Sequence, residues 1–327
     1  MERIGDTYRS KVDEPSEYHH SFFSNGKLWL FGTTYVPQPT YNWGNRVTFG
    51  GGYAIDFDPN TREWGQAVTF DALTSDENCG EAFFQADGAI FLFLYTAFGG
   101  FIPKALYRWN ENERKWASIQ LQIDASSEIP ADPDRRVDVR SIDGNPGSKD
   151  GYFFVTIGSS DTSVHHIDFS SGKISKKFDV NPEAMLIPRG IPVKGVVFGD
   201  KLHVFYAVHG CGFRWEPARL VTLNLENGEG QEKQINGDLP RFGFAGARVT
   251  ALRKNNEWLH IGGSIQKGMT GSEASRDVYS VNLGNEEPAW AKLPVEDSDP
   301  GEVNFGYDFT GDALYTVDKT SVKKSQL

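Results

Sequence analysis

Short apolar runs recur along this chain, and each is introduced by a tight polar turn. The runs are Leu28-Trp29-Leu30-Phe31, Ile90-Phe91-Leu92-Phe93, Tyr152-Phe153-Phe154-Val155, Leu202-His203-Val204-Phe205, Leu259-His260-Ile261 and Leu314-Tyr315-Thr316-Val317. The turns before them are Asn25-Gly26, Asp87-Gly88, Asp150-Gly151, Gly199-Asp200, Asn255-Asn256 and Gly311-Asp312. Two-residue hairpins need positive φ, which Gly, Asn and Asp tolerate, so each pair predicts a hairpin leading into a buried strand. The runs begin at 28, 90, 152, 202, 259 and 314, so successive units are 62, 62, 50, 57 and 55 residues apart. The fullest unit lies between Arg248 and Leu293: Ala247–Leu252, Trp258–Ile261, Asp277–Leu283 and a turn to Trp290 read as four short strands.

One four-stranded antiparallel sheet cannot bury both of its faces alone. A period near fifty with four strands per unit is the signature of propeller blades. A second marker agrees: Phe57 and Trp64, Trp109 and Trp116, and Leu283 and Trp290 are each seven positions apart, across turns such as Asp58-Pro59-Asn60-Thr61. A ring on the outer strand fills the wedge that opens as blades fan out from the axis. The third and fourth units keep the strands, Val164–Phe169 and Leu220–Leu225, without the Trp. The expectation is an all-β, six-bladed propeller in one domain spanning 1–327, with blades at about 18–73, 79–122, 136–180, 190–236, 243–295 and 303–327 plus 1–17. After Val317 the tail is too short for two good strands, so Asp6–Val12 is expected to supply the outer strand and close the ring.

The unit resembles the kelch repeat and the galactose-oxidase central-domain superfamily. Its marks are a hairpin turn, an apolar strand ending in a Gly doublet, a Tyr-bearing third strand and a Trp on the fourth. Gly262-Gly263 is a full doublet, and Gly32-Thr33 and Gly158-Ser159 keep half of one. For most such propellers the resemblance implies a binding scaffold. For some it implies an enzyme, including copper oxidases with Tyr and His ligands and sugar-acid epimerases.

Charge and composition narrow the picture. Thirty-three basic against 44 acidic residues give a net charge of −11, which argues against nucleic acid and anionic membranes as partners. The start is polar, no run reaches the length of a membrane span, only Cys79 and Cys211 are present, and no Asn-x-Ser/Thr sequon occurs. These features predict a cytoplasmic, alternatively nuclear, monomer whose two thiols are not joined.

Candidate chemistry is sparse. His203 and His260 share a repeat position with Trp29, Phe91, Phe153 and Tyr315, so they read as packing rings. His165-His166 and His19-His20 are strand neighbours that point to opposite faces and cannot share a metal. No spacing matches a zinc, copper or iron site, and no cofactor is expected. Glu81, Asp138, Arg140 and Arg189 fall near the starts of inner strands, where charged groups reach a central channel. The crossings Gln120–Asp138 and Asp179–Pro192 are long and rich in Pro and acidic residues, and read as lids or linkers.

The loops joining second to third strands are long and aromatic. They carry Tyr41, Trp43 and Arg46 in blade one, Phe98 and Phe101 in blade two, His209, Phe213, Arg214 and Trp215 in blade four, and Arg276 in blade five, with Arg248 converging on them. Exposed Trp, Tyr and Arg dominate binding hot spots, so these residues are expected to hold a protein or an acidic peptide. The alternative for the rings is that they pack down on their own loops. The alternative for the chain is a small-molecule enzyme, acting on a sugar or related metabolite at the channel mouth.

Overall fold

The computed structural model describes residues 2–6, 18–38, 46–71, 73, 78–145, 147–158, 161–180, 192–206, 219–233, 235–237, 249–253, 257–261, 264–267, 271–274, 277–294, 304–317 and 321–327. These residues form six sheets, antiparallel through their four main strands, that are the blades of a six-bladed propeller, and two further two-stranded ribbons. From the inner strand outward, blade one is Tyr18–Ser24, Lys27–Gln38, Arg46–Asp58 and Glu63–Trp64. Blade two is Cys79–Ala86, Ala89–Thr96, Pro103–Asn110 and Lys115–Ile119. Blade three is Val137–Ile142, Asp150–Ile157, Asp161–Asp168 and Lys173–Val180. Blade four is Pro192–Phe198, Lys201–Tyr206, Arg219–Asn224 and Gly230–Lys233. Blade five is Val249–Leu252, Glu257–Ile261, Val278–Asn282 and Ala289–Leu293.

Blade six joins both ends of the chain. Asn304–Asp308, Ala313–Val317 and Ser321–Gln326 form its first three strands, and Glu2–Asp6 pairs antiparallel with Ser321–Gln326 as the fourth. The closing strand therefore lies earlier than the expected Asp6–Val12, and residues 7–17 lie outside the described set.

The apolar runs are continuous because the second strand of each blade is covered on both faces. Leu28 and Leu30 face blade six, packing with Ala313, Tyr315 and Val322, whereas Trp29 and Phe31 face blade two, packing with Phe83, Leu92 and Trp109. Six apolar clusters result, one in each wedge between neighbouring blades. Each fully buried ring contributes about 1.5–3 kcal/mol relative to exposure. Trp116 fills the wedge against Phe31, and Trp290 fills its wedge against Phe205, as the Trp spacing predicts.

The turn signals hold in blades one, two and four: Asn25 and Gly26 have φ of 48° and 78°, Asp87 and Gly88 have 46° and 66°, and Gly199, with φ of 63°, turns with Asp200 between Phe198 and Lys201, whereas Asn255-Asn256 lies outside the described residues. Asp150-Gly151 is not a turn. Both residues lie in the second strand of blade three, paired with Asp168 and Ile167, and the described residues 143–145 and 147–149 lie in the connection before it. Gly151 is needed there because the Phe169 ring lies where a Cβ would go, 2.6 Å away.

The 120–136 crossing is neither lid nor slack linker. Gln122–Ile123 adds a fifth, parallel strand outside Lys173–Val180, and Ser127 donates to the carbonyl of Ile174 at 3.2 Å. Ile129–Pro130 then pairs with Gly100–Phe101. Asn236–Gly237 covers the outer edge of blade five in the same way. An edge covered like this offers no template for another chain.

Candidate active site

In this topology the first and third turns of each blade emerge at one end of the ring, and the second-to-third loops and blade crossings at the other. The candidate site lies at the loop end, and its described part centres on the inner strands of blades two and three.

Tyr95 ends the second strand of blade two and is 5% exposed. Its ring lies over Gly80, its cross-strand partner; a Cβ at Gly80 would sit 2.8 Å from the ring. That close approach lets the hydroxyl reach the next blade, where the N–H of Val139 donates to it at 3.3 Å. Burial, then the charges of Asp138 and Glu81, raise the Tyr95 pKa above the ordinary phenol value, so the group is a neutral hydroxyl at working pH. Two carboxylates from adjacent inner strands thus lie within electrostatic reach of one buried phenol.

The inner strand of blade three alternates. Val137 and Val139 are buried against blade two, so Asp138 and Arg140 share the other face. Arg140 Nε donates to Asp138 Oδ2 at 2.6 Å, and both side chains keep about a third or more of their surface exposed, at 40% and 34%. A half-solvated ion pair of this kind contributes little stability, so its placement matters more for what it presents to the channel mouth.

Of the residues expected from sequence, Glu81, Asp138 and Arg140 lie on adjacent inner strands around Tyr95, and Arg140 pairs with Asp138. Phe98 is half-buried on the same end, its carbonyl accepting from Asn78 Nδ2 at 2.9 Å. Phe101 is not a surface ring. It is 0% exposed and packs against Phe93, Tyr95, Phe153 and His165, because the pairing of Gly100–Phe101 with Ile129–Pro130 folds it inward. Arg46 lies in the third strand of blade one. Tyr41, Trp43, Arg189, His209, Cys211, Phe213, Arg214, Trp215, Arg248 and Arg276 lie outside the described residues.

One constellation imitates a nucleophile and base but cannot serve as one. Ser163 Oγ and His165 Nε2 are 3.0 Å apart, and the register pairs Ser163 with Asp179. His165 is 0% exposed, stacked on Phe153 at 5.3 Å. Burial, with Lys176 nearby, pushes its pKa down to about 3. A base sealed from solvent and this weak has nothing to deprotonate. His203, hydrogen-bonded through Nδ1 to Thr222 at 3.1 Å, is likewise a packing ring, as the repeat position predicts. Among the described residues no group of His, Cys, Asp and Glu is arranged to hold a metal.

Tyr95 was not visible as a site residue in the sequence. Its signal is a bulky side chain at the position where the repeat places a Gly doublet, opposite a glycine in the pairing strand.

No protein-family model matches the chain, and no curated protein matches it in sequence. Solved structures share its shape. The α-L-arabinofuranosidase of Fusarium graminearum, in complex with arabinobiose, is 10% identical, covers 100% of this chain and 98% of its own, and superposes with a TM-score of 0.55. A protein of unknown function from Dyadobacter fermentans is 10% identical over 98% of this chain and 97% of its own, with a TM-score of 0.53. An exo-β-1,3-galactanase from Phanerochaete chrysosporium, with β-1,3-galactotriose, is 7% identical over 97% of this chain and 77% of its own, with a TM-score of 0.51. These likenesses establish the propeller, not the kelch subfamily. They also correct the expected protein- or peptide-binding scaffold: two of these propellers, the arabinofuranosidase and the galactanase, are named as enzymes that act on carbohydrate.

Proposed function

We propose that this propeller is a carbohydrate-active enzyme that cleaves a glycosidic bond at the loop-end mouth of its channel. The observation that carries the reading is the placement of Glu81 and Asp138 on adjacent inner strands, both within electrostatic reach of the Tyr95 hydroxyl. Glycoside cleavage needs two carboxyl groups, one to protonate the leaving oxygen and one to act as base or nucleophile. Asp138, held by Arg140, is suited to the second role, and Glu81 to the first. Tyr95, anchored by Val139, fixes the geometry between them. The likeness to an arabinofuranosidase and a galactanase supports the substrate class. The blade spacing keeps a kelch-like character within this reading.

The test is hydrolysis of a panel of arabino- and galacto-oligosaccharides, followed by product release. Glu81→Gln and Asp138→Asn should each lower kcat by roughly 10²–10⁴-fold, the usual contribution of acid-base catalysis. Full activity in both variants would move the site elsewhere. No turnover on any glycan would refute the reading.

A further inference from the structure

The rim beside the carboxylates holds a feature that the cleavage chemistry does not use. Phe98, from the second-to-third loop of blade two, pairs with Arg136, the residue before the inner strand of blade three, in an isolated antiparallel bridge. The flanking hydrogen bonds run from Gly99 N to Arg135 O at 3.1 Å and from Val137 N to Ala97 O at 2.8 Å. Phe98 and Arg136 are therefore the non-hydrogen-bonded pair of this bridge, the closer kind, with Cα atoms about 4.5 Å apart and side chains on one face. That face is fixed. Val137 is buried on the core side, so Arg136 projects from the opposite side, in line with Asp138 and Arg140.

The three neighbouring arginines are used differently. Arg135 is held by Asp161 at 2.8 Å and by the carbonyl of Ile157 at 3.1 Å. Arg140 is held by Asp138. Arg136 is exposed, and no carboxylate among the described residues lies in ion-pair range of it. Arg140 and Asp138 neutralise each other, so Arg136 and Glu81 on the neighbouring inner strand are the mouth's remaining described charges, one of each sign, on a chain whose net charge is −11. A half-buried aromatic ring and an unengaged guanidinium, side by side and stapled to both inner strands, suit a ligand with an apolar ring face and a carboxylate at its edge.

We infer that Phe98 and Arg136 form a subsite for an acidic sugar, so that the substrate is a glycan bearing a uronic acid. This rests on the glycan-cleaving reading of the neighbouring carboxylates. The C–H face of the pyranose stacks on Phe98, and the carboxylate accepts the guanidinium fork of Arg136. The bridge fixes the backbone beneath both groups before binding, so no main-chain ordering cost falls on the protein.

Calorimetry with a galacturonic acid disaccharide and the matching neutral galactose disaccharide tests the subsite without requiring turnover. The acidic disaccharide should bind about tenfold or more tighter, the usual value of a hydrogen bond to a charged group. Arg136→Ala should abolish that preference, Arg136→Lys should restore part of it, and Phe98→Ala should weaken both sugars alike. Circular dichroism identifies any variant that fails to fold, and Arg136→Gln then replaces Arg136→Ala. Equal binding of the two sugars, or a preference that survives in Arg136→Ala, overturns the inference. Binding of neither sugar overturns it together with the glycan reading. Acid-selective binding without cleavage leaves the subsite standing and removes only the hydrolase assignment.

Discussion

The two ends of the propeller use charge in opposite ways. At the hairpin end, ionic groups tie blades to each other. Asp56, 2% exposed, takes Lys27 of its own blade at 2.7 Å and Arg114 of blade two at 2.7 Å. Arg114 also lies over the Trp29 ring at 5.4 Å. Ser24 and Asn25 both donate to Glu111 of blade two. Arg253 of blade five grips Asp312 of blade six, whose carboxylate also accepts from Tyr307 at 2.6 Å. At the loop end the described charges Glu81, Arg136, Asp138 and Arg140 stay half-solvated or exposed around the mouth. One end ties blade to blade, and the other keeps these charges in contact with solvent.

Acid should erode the walls between the ends most strongly. An unfolded imidazole takes up a proton as pH falls through 6.5, but burial holds His165 neutral to about 3 and His203 to about 4. Unfolding therefore binds protons, and stability falls as pH drops from 6.5 toward 4, by on the order of 3 kcal/mol per ring. Asp56 adds to the loss at lower pH. Burial would raise its carboxyl, yet the hydrogen bonds from Lys27 and Arg114 hold it below 3.8, so the stability it gives is present above that value and vanishes as pH falls through the folded pKa. Urea midpoints at pH 7, 5.5 and 4.5 should descend steadily; a flat profile would mean that the rings are hydrated.

Asp56→Ala should cost about 3 kcal/mol, because it leaves two cations facing a buried gap. Denaturant unfolding measures this, and a loss below about 1 kcal/mol would show that solvent rescues Lys27 and Arg114. Arg253→Ala should cost somewhat less, about 2 kcal/mol, because Tyr307 still donates to Asp312. The smallest effect is the sharpest test of the contrast. Arg140→Ala and Glu81→Gln should change stability by no more than about 0.5 kcal/mol, although both stand at the mouth. If either destabilises like Asp56→Ala, the two ends do not divide their labour.

The blade count was legible because two strong local rules repeat, positive φ at the hairpins and bulk in the wedges. Asp150-Gly151 shows the limit of the first rule. Its glycine answers a packing demand from Phe169 rather than a turn, and the dipeptide alone does not distinguish the two. Glu81, Asp138 and Arg140 were legible from their place at strand starts. Tyr95 and Arg136 were not, because what recruits them is a contact between blades, the Val139 N–H and the bridge to Phe98. Phe101 was misplaced for the same reason: the strand that turns it inward, Ile129–Pro130, is two residues long and carries no periodic signal.

The pairing of Glu2–Asp6 with Ser321–Gln326 also sets an order of events in the cell. A ribosome makes the first of these strands more than 300 residues before the second. Every other blade can assemble as it emerges, but the last must pair with a segment made more than 300 residues earlier. Joining ends so far apart costs roughly 5 kcal/mol of chain entropy. Until that moment the nascent protein is an open crescent with its first and last blades unsheltered, and chaperones would find their work there.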